Sequence, residues 1–86
     1  MNDIHRVRHY LRLIATGEST LAAPKKNLIG LLANNFGFTS DAISEVEKHL
    51  TFIRLTYWGS APTEKELSDI VELILLLRSA VRKDRN

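Results

Sequence analysis

The stretch Glu64–Val81, EKELSDIVELILLLRSAV, decides the fold of this 86-residue chain. At 100° per residue, one face of a helix collects Leu67, Ile70, Val71, Ile74, Leu77 and Val81. Leu73 and Leu75 widen this apolar face on its two sides, and Leu76 lies close to the back. A helix that packs against one neighbouring layer needs an apolar stripe of roughly 100°, and this stripe is about twice as wide. The segment therefore predicts a helix that must be covered on several sides.

A second copy of the chain is the natural source of that cover, because 86 residues offer few further helices. We therefore expect a homodimer with the last helix at its interface, where Leu73, Leu75 and Leu76 are the candidate contact residues. A membrane span is the competing interpretation. Glu72 interrupts the apolar run and Arg78 ends it, far short of the roughly 20 residues that a bilayer requires, so we expect no membrane partner.

Composition limits the function classes. The length fits one helical domain, residues 1–86, and the net charge of +2 is only mildly basic. The chain has no cysteine, which excludes a thiolate nucleophile or thiolate metal site, and its charged start, MNDIHRVRHY, does not resemble a signal peptide. It also lacks a glycine-rich phosphate loop and a His-Glu-x-x-His sequence. We expect a cytoplasmic protein that is not an enzyme, with no cofactor, metal site or small-molecule substrate.

Capping signals predict the other helices and an all-α bundle of four. The first helix is expected from Asn2 or Asp3 to Thr16, the second from Pro24 to Gly37, the third from Thr39 or Ser40 to Trp58, and the last from the Thr63–Glu66 capping box to Val81. The third helix carries a seam at spacings of three and four from Ile43 to Tyr57, with Phe52 and Leu55 as a second apolar flank. The third and last helices should be the long ones.

The segment 29–48 has the pattern of a helix-turn-helix. A small residue, Ala33, is placed where the two helices would cross, Gly37 follows four residues later at the turn, and apolar residues flank it. LLANNFGFTSDAISEV, residues 31–46, resembles the helix-turn-helix of bacterial and phage regulators. That resemblance covers about 20 residues, names no family, and implies a small DNA-binding transcriptional regulator. Two packed helices joined by an ordinary Schellman turn explain the same residues.

If DNA is the partner, the contacts would come from three helices. The groove-facing candidates are Thr39, Ser40, Ser44 and Lys48, and the phosphate candidates are Lys25, Lys26, Arg6, Arg8 and Arg12. Asp41 and Glu45 oppose this interpretation, since both would point at a phosphate-lined groove. The basic face of the first helix also fits a solvated surface, a docking face for an acidic protein, or a His5–His9 metal pair.

The alternative function is a homodimeric inhibitor, anti-activator or adaptor that binds another protein and no DNA. Its contacts would be the basic face of the first helix and the aromatic pair Tyr57–Trp58 at the end of the third. Arg54 lies about one turn before Trp58 and is placed to stack on it. Burial of both aromatic side chains in the core explains the same residues equally well.

Overall fold

The computed structural model describes residues 2–17 and 22–80, and within those ranges all regular structure is helical. The elements are α1 (Asp3–Thr16), α2 (Ala22–Asn35), α3 (Ser40–Tyr57) and α4 (Glu64–Leu76), and a single 3₁₀ turn, Leu77–Ser79, follows α4. None of these helices combines the length and the apolar character needed to cross a bilayer. The predicted all-α chain with four helices is confirmed.

Three helix starts form as their capping residues predict. The Asn2 side chain accepts a hydrogen bond from the backbone N–H of Ile4, at 2.8 Å. The Thr39 side chain caps α3 in the same way. At the start of α4, Thr63 and Glu66 each accept from the backbone N–H of the other, at 3.1 and 2.8 Å. These bonds satisfy N–H groups that have no partner inside the helix.

The helix at the centre of the molecule is α1, whereas the sequence pattern pointed to the last helix. It packs against α2, α3 and α4, and its side chains Val7, Leu11, Ile14 and Ala15 are all buried. The other helices contribute their own stripes to the same core: Leu28, Leu31, Leu32, Phe38, Ala42, Val46, Leu50, Ile53, Leu67, Val71 and Ile74. A short helix covered on three sides buries a larger share of its surface than a helix at the edge.

Two helix boundaries differ from the prediction. The helix α2 begins at Ala22, and Pro24 is the third residue of its first turn. Proline is tolerated there because N–H groups of the first turn have no intrahelical acceptor. The helix α4 ends at Leu76, tightens into the 3₁₀ turn, and Ala80 is extended. With 13 residues α4 is the shortest of the four helices, so its predicted length is wrong; Val81 lies outside the described residues.

The turn between α2 and α3 keeps part of the predicted geometry. Gly37 is left-handed, with φ of 74°, and Phe38 is buried behind it. The N–H of Phe38 donates to the carbonyl of Leu32 at 3.1 Å, one residue further back than in a Schellman ending. Ala33 is exposed, so the expectation that it lies at a helix crossing is wrong, because α2 packs mainly against α1.

Candidate interaction surfaces

The arginines of α1 bind the start of α4. Arg8 donates to the carboxylate and the carbonyl of Glu64 and to the Ser68 hydroxyl, the last at 2.9 Å. Arg12 donates to the other carboxylate oxygen of Glu64 at 2.7 Å. The hydrogen bond and the charge of Arg8 are the main reasons why the pKa of Glu64 lies below its ordinary value. These two candidate phosphate contacts therefore hold two helices of the same chain together.

The third candidate arginine and the lysines are also mostly paired. Arg6 lies 3.4 Å from Asp3, one turn earlier on α1. Lys25 of α2 lies 3.7 Å from a carboxylate oxygen of Glu47 on α3, and Lys48 lies 3.1 Å from Glu45. Lys26 is exposed and forms no ion pair with another described residue.

The candidate groove-facing residues extend from the N-cap of α3 to the middle of that helix. Thr39 and Ser40 are exposed, Ser44 is half-buried and Lys48 is exposed. Glu45 lies among them and pairs with Lys48. These four residues follow one another along the N-cap and first half of α3, whereas Arg8 and Arg12 of α1 are occupied at α4.

The predicted surplus of apolar surface is present on α4. Leu73 is 42% exposed and Leu76 is 70% exposed, whereas Leu75 is half-buried against the core. An open groove of about 440 Å³ lies between α1 and α4 on the side of Leu75 and Leu76, and its lining also includes Ile4 and Val71, with Arg8 and Glu72 at its polar positions. A single chain thus leaves two large aliphatic side chains of its last helix in water.

A second apolar surface lies on α3, at residues that were expected to flank the packed seam. Phe52 is 69% exposed and Leu55 is 59% exposed, and the threonines Thr51 and Thr56 beside them are exposed as well. The spacing i, i+1, i+4, i+5 places these four on one face, opposite the buried Leu50. The buried residues of the seam, Val46, Leu50 and Ile53, supply the contacts of α3 with the core, so Phe52 and Leu55 are left on the outer face of the helix. The helical spacing of Phe52 and Leu55 in the sequence was the signal that could have identified this outer face.

The aromatic pair at the end of α3 divides between core and surface. Tyr57 packs against the core, and burial, followed by the charges of Glu66 and Asp69, raises the pKa of its hydroxyl. Trp58 is 72% exposed and left-handed, with φ of 42°, an uncommon conformation for a bulky residue. The Arg54 guanidinium carbon lies 5.2 Å from the centre of its ring, which confirms the predicted stacking.

Among residues 2–17 and 22–80, no three side chains of metal-ligating type converge on a point. Comparison of the chain with known protein families, with curated proteins and with solved structures finds no match. The chemistry of the exposed surfaces is therefore the basis for inferring a function.

Proposed function

We propose that the chain is a small non-enzymatic regulatory protein that acts through protein–protein contacts, as a homodimer joined through α4. The observation that carries this proposal is the exposure of Leu76 at the groove between α1 and α4, with the exposed Leu73 further round the same helix. Fully burying a leucine side chain contributes about 1.5–3 kcal/mol. Two such side chains on each copy give association a favourable free energy that the lone chain lacks.

The occupant we propose for this surface is a second copy, because the groove and the exposed leucine that would fill it lie side by side on one chain. Leu76 projects beside the same groove that would receive it from the partner, as a two-fold interface requires. Arg8 at the polar edge of the groove already pairs with Glu64 of its own chain, so apolar contact, and not charge pairing, carries this association.

Sedimentation equilibrium of the full chain and of Leu76→Lys tests the proposal. We expect a dimer for the wild type and a monomer for Leu76→Lys, since association through α4 would have to remove the lysine ammonium group from water. Leu55→Lys is the matched control, because it places the same charge at a comparably exposed leucine on α3, and it should remain a dimer. A monomeric wild type at about 100 µM would reject a dimer of useful affinity. Equal loss of the dimer in both variants would reject α4 as its location.

A DNA-binding regulator that uses residues 29–48 is the second candidate. The observation that favours it is the first half of α3, where the exposed Thr39, Ser40 and Lys48 follow the left-handed Gly37. Lys25 and the exposed Lys26 on α2 would supply the phosphate contacts. Binding to random duplex DNA at low salt, with a steep loss of affinity as salt rises, would support this function, and no retention at low salt would remove it.

A further inference from the structure

The polar end of the groove between α1 and α4 is formed by two side chains that are hydrogen-bonded to each other. Arg8 and Ser68 both line the groove, and the Arg8 guanidinium donates to the Ser68 hydroxyl at 2.9 Å. The same guanidinium donates to the backbone carbonyl of Glu64 at 3.3 Å and to the Glu64 carboxylate. Glu64 is not among the residues that line the groove, so the charge that neutralises Arg8 lies outside the surface at which two copies would meet.

A second arginine fixes the orientation of this carboxylate. Arg12 lies one turn after Arg8 on α1 and donates to the other carboxylate oxygen of Glu64 at 2.7 Å. Each oxygen therefore accepts a charge-assisted hydrogen bond from a different arginine, and such bonds are stronger than those between neutral groups. This arrangement keeps the negative charge of Glu64 beside Arg8.

Covering the groove removes water from Arg8, whose side chain is 26% exposed in the single chain. With Glu64 in place, the guanidinium keeps a carboxylate, a carbonyl and a hydroxyl oxygen of its own chain as acceptors. Without that carboxylate, association would take a cation with no counter-charge out of water, which is strongly unfavourable. The free energy of association should therefore depend on a carboxylate that lies outside the groove.

We propose that Glu64 controls the association of two copies by supplying the counter-charge that allows Arg8 to be covered. This inference rests on the proposed function, a homodimer joined through α4, and adds a residue outside the contact surface that governs the dimer. Leu76 supplies apolar contact whether or not Glu64 is charged. A chain that keeps Leu76 and lacks the charge of Glu64 should therefore fold, and yet associate weakly.

A purely structural role of the same ion pairs gives different expectations. If they only join α1 to α4, removing Glu64 should lower the stability of each copy, and by little, because its side chain is 73% exposed and surface ion pairs contribute little. In the proposed role the effect falls on association. Replacing Arg8 by an apolar side chain of similar length should then reverse it, because methionine needs no counter-charge.

Sedimentation equilibrium of the wild type, Glu64→Gln, Arg8→Met and the double variant tests the inference. We expect Glu64→Gln to raise the dissociation constant of the dimer by about tenfold or more. Arg8→Met and the double variant should both associate at least as tightly as the wild type. Glu47→Gln is the matched control and should leave the dimer unchanged, because it removes the carboxylate of another ion pair between helices, Lys25–Glu47, and neither residue lines the groove.

Urea unfolding in the Leu76→Lys background measures the effect of Glu64→Gln on a single copy, apart from association. We expect that effect to be small. A Glu64→Gln dimer as tight as the wild type, an equal weakening by Glu47→Gln, or a double variant as weak as Glu64→Gln would each overturn the inference and leave the α4 dimer in place. A monomeric wild type would overturn the homodimer and this inference with it.

Discussion

Alanine substitutions at Ile74 and Leu76 separate the core of the chain from its proposed interface. The two residues are neighbours on α4, yet Ile74 is fully buried in the single chain and Leu76 is 70% exposed. In the lone chain, Ile74→Ala should cost about 2–5 kcal/mol of unfolding free energy, and Leu76→Ala should cost little. If the chain is a dimer joined through α4, Ile74→Ala should weaken the folding of each copy, and Leu76→Ala should weaken the association of the two copies.

The magnitude for Leu76 follows from its exposed fraction. If 70% of its side chain is newly covered, association gains about 1–2 kcal/mol per copy, from about 1.5–3 kcal/mol for a fully buried leucine. The two-fold doubles this to about 2–4 kcal/mol, so Leu76→Ala should weaken the dimer by roughly 30-fold to 1000-fold. Ile74→Ala should instead lower stability equally at every protein concentration.

Thermal unfolding at about 10 µM and about 1 mM distinguishes these outcomes, because a dimer gains stability with concentration and a monomer does not. The wild type and Ile74→Ala should both melt at a higher temperature in the concentrated sample, with Ile74→Ala lower throughout. For Leu76→Ala the dependence on concentration should be much smaller. A wild type whose melting temperature is independent of concentration, or a Leu76→Ala variant that matches it in both samples, would refute the reasoning.

Three further predictions concern stability. Gly17→Ala should lower the free energy of unfolding in urea by about 1–2 kcal/mol, because φ is 65° and the new methyl group would meet the Arg54 guanidinium. Gly30 lies within α2 and has open space around it, so Gly30→Ala should instead raise the free energy of unfolding by up to about 1 kcal/mol. Thr63→Ala should cost about 1 kcal/mol by removing the cap of α4, again measured in urea. The pKa of Glu64 is lowered in the folded chain, so its ion pairs with Arg8 and Arg12 stabilise the fold above the ordinary carboxyl pKa near 4.5. That stabilisation is lost as the pH falls through the lowered pKa of the folded chain. Glu64→Gln should therefore lose less unfolding free energy on acidification than the wild type, as measured by urea denaturation at a series of acidic pH values.

Local signals in the sequence were sufficient for most of the secondary structure. Asn2 and Thr39 are each one of the two capping residues that the sequence offered, Thr63 caps α4 as its capping box indicated, and Gly17 and Gly37 are left-handed after α1 and α2. A cap depends on residues within one turn, so it can be read without knowing the fold. The start of α2 was placed two residues too late, because proline is accepted at several positions of a first turn. The end of α4 was placed too late, because the apolar pattern continues through the residues that form the 3₁₀ turn.

Tertiary contacts decided what the pattern left open. The pattern left the basic face of α1 open between a solvated surface, a docking face and a metal pair, whereas Arg8 and Arg12 reach Glu64, more than fifty positions away in sequence. Phe52 and Leu55 are apolar at helical spacing, which favours burial, yet α1 already covers the other side of α3. A periodic pattern identifies the faces of a helix, and the packing of the remaining helices determines which face stays in water.

The location of the dimer contact is the most direct test of the proposed function. A sample that mixes isotope-labelled and unlabelled chains allows nuclear Overhauser effects between copies to be observed apart from those within one copy. We predict such effects from the methyl groups of Leu76 to Ile4 and Leu75 of the other copy. The absence of any effect between copies, or effects that involve Leu55 in their place, would contradict a homodimer joined through α4.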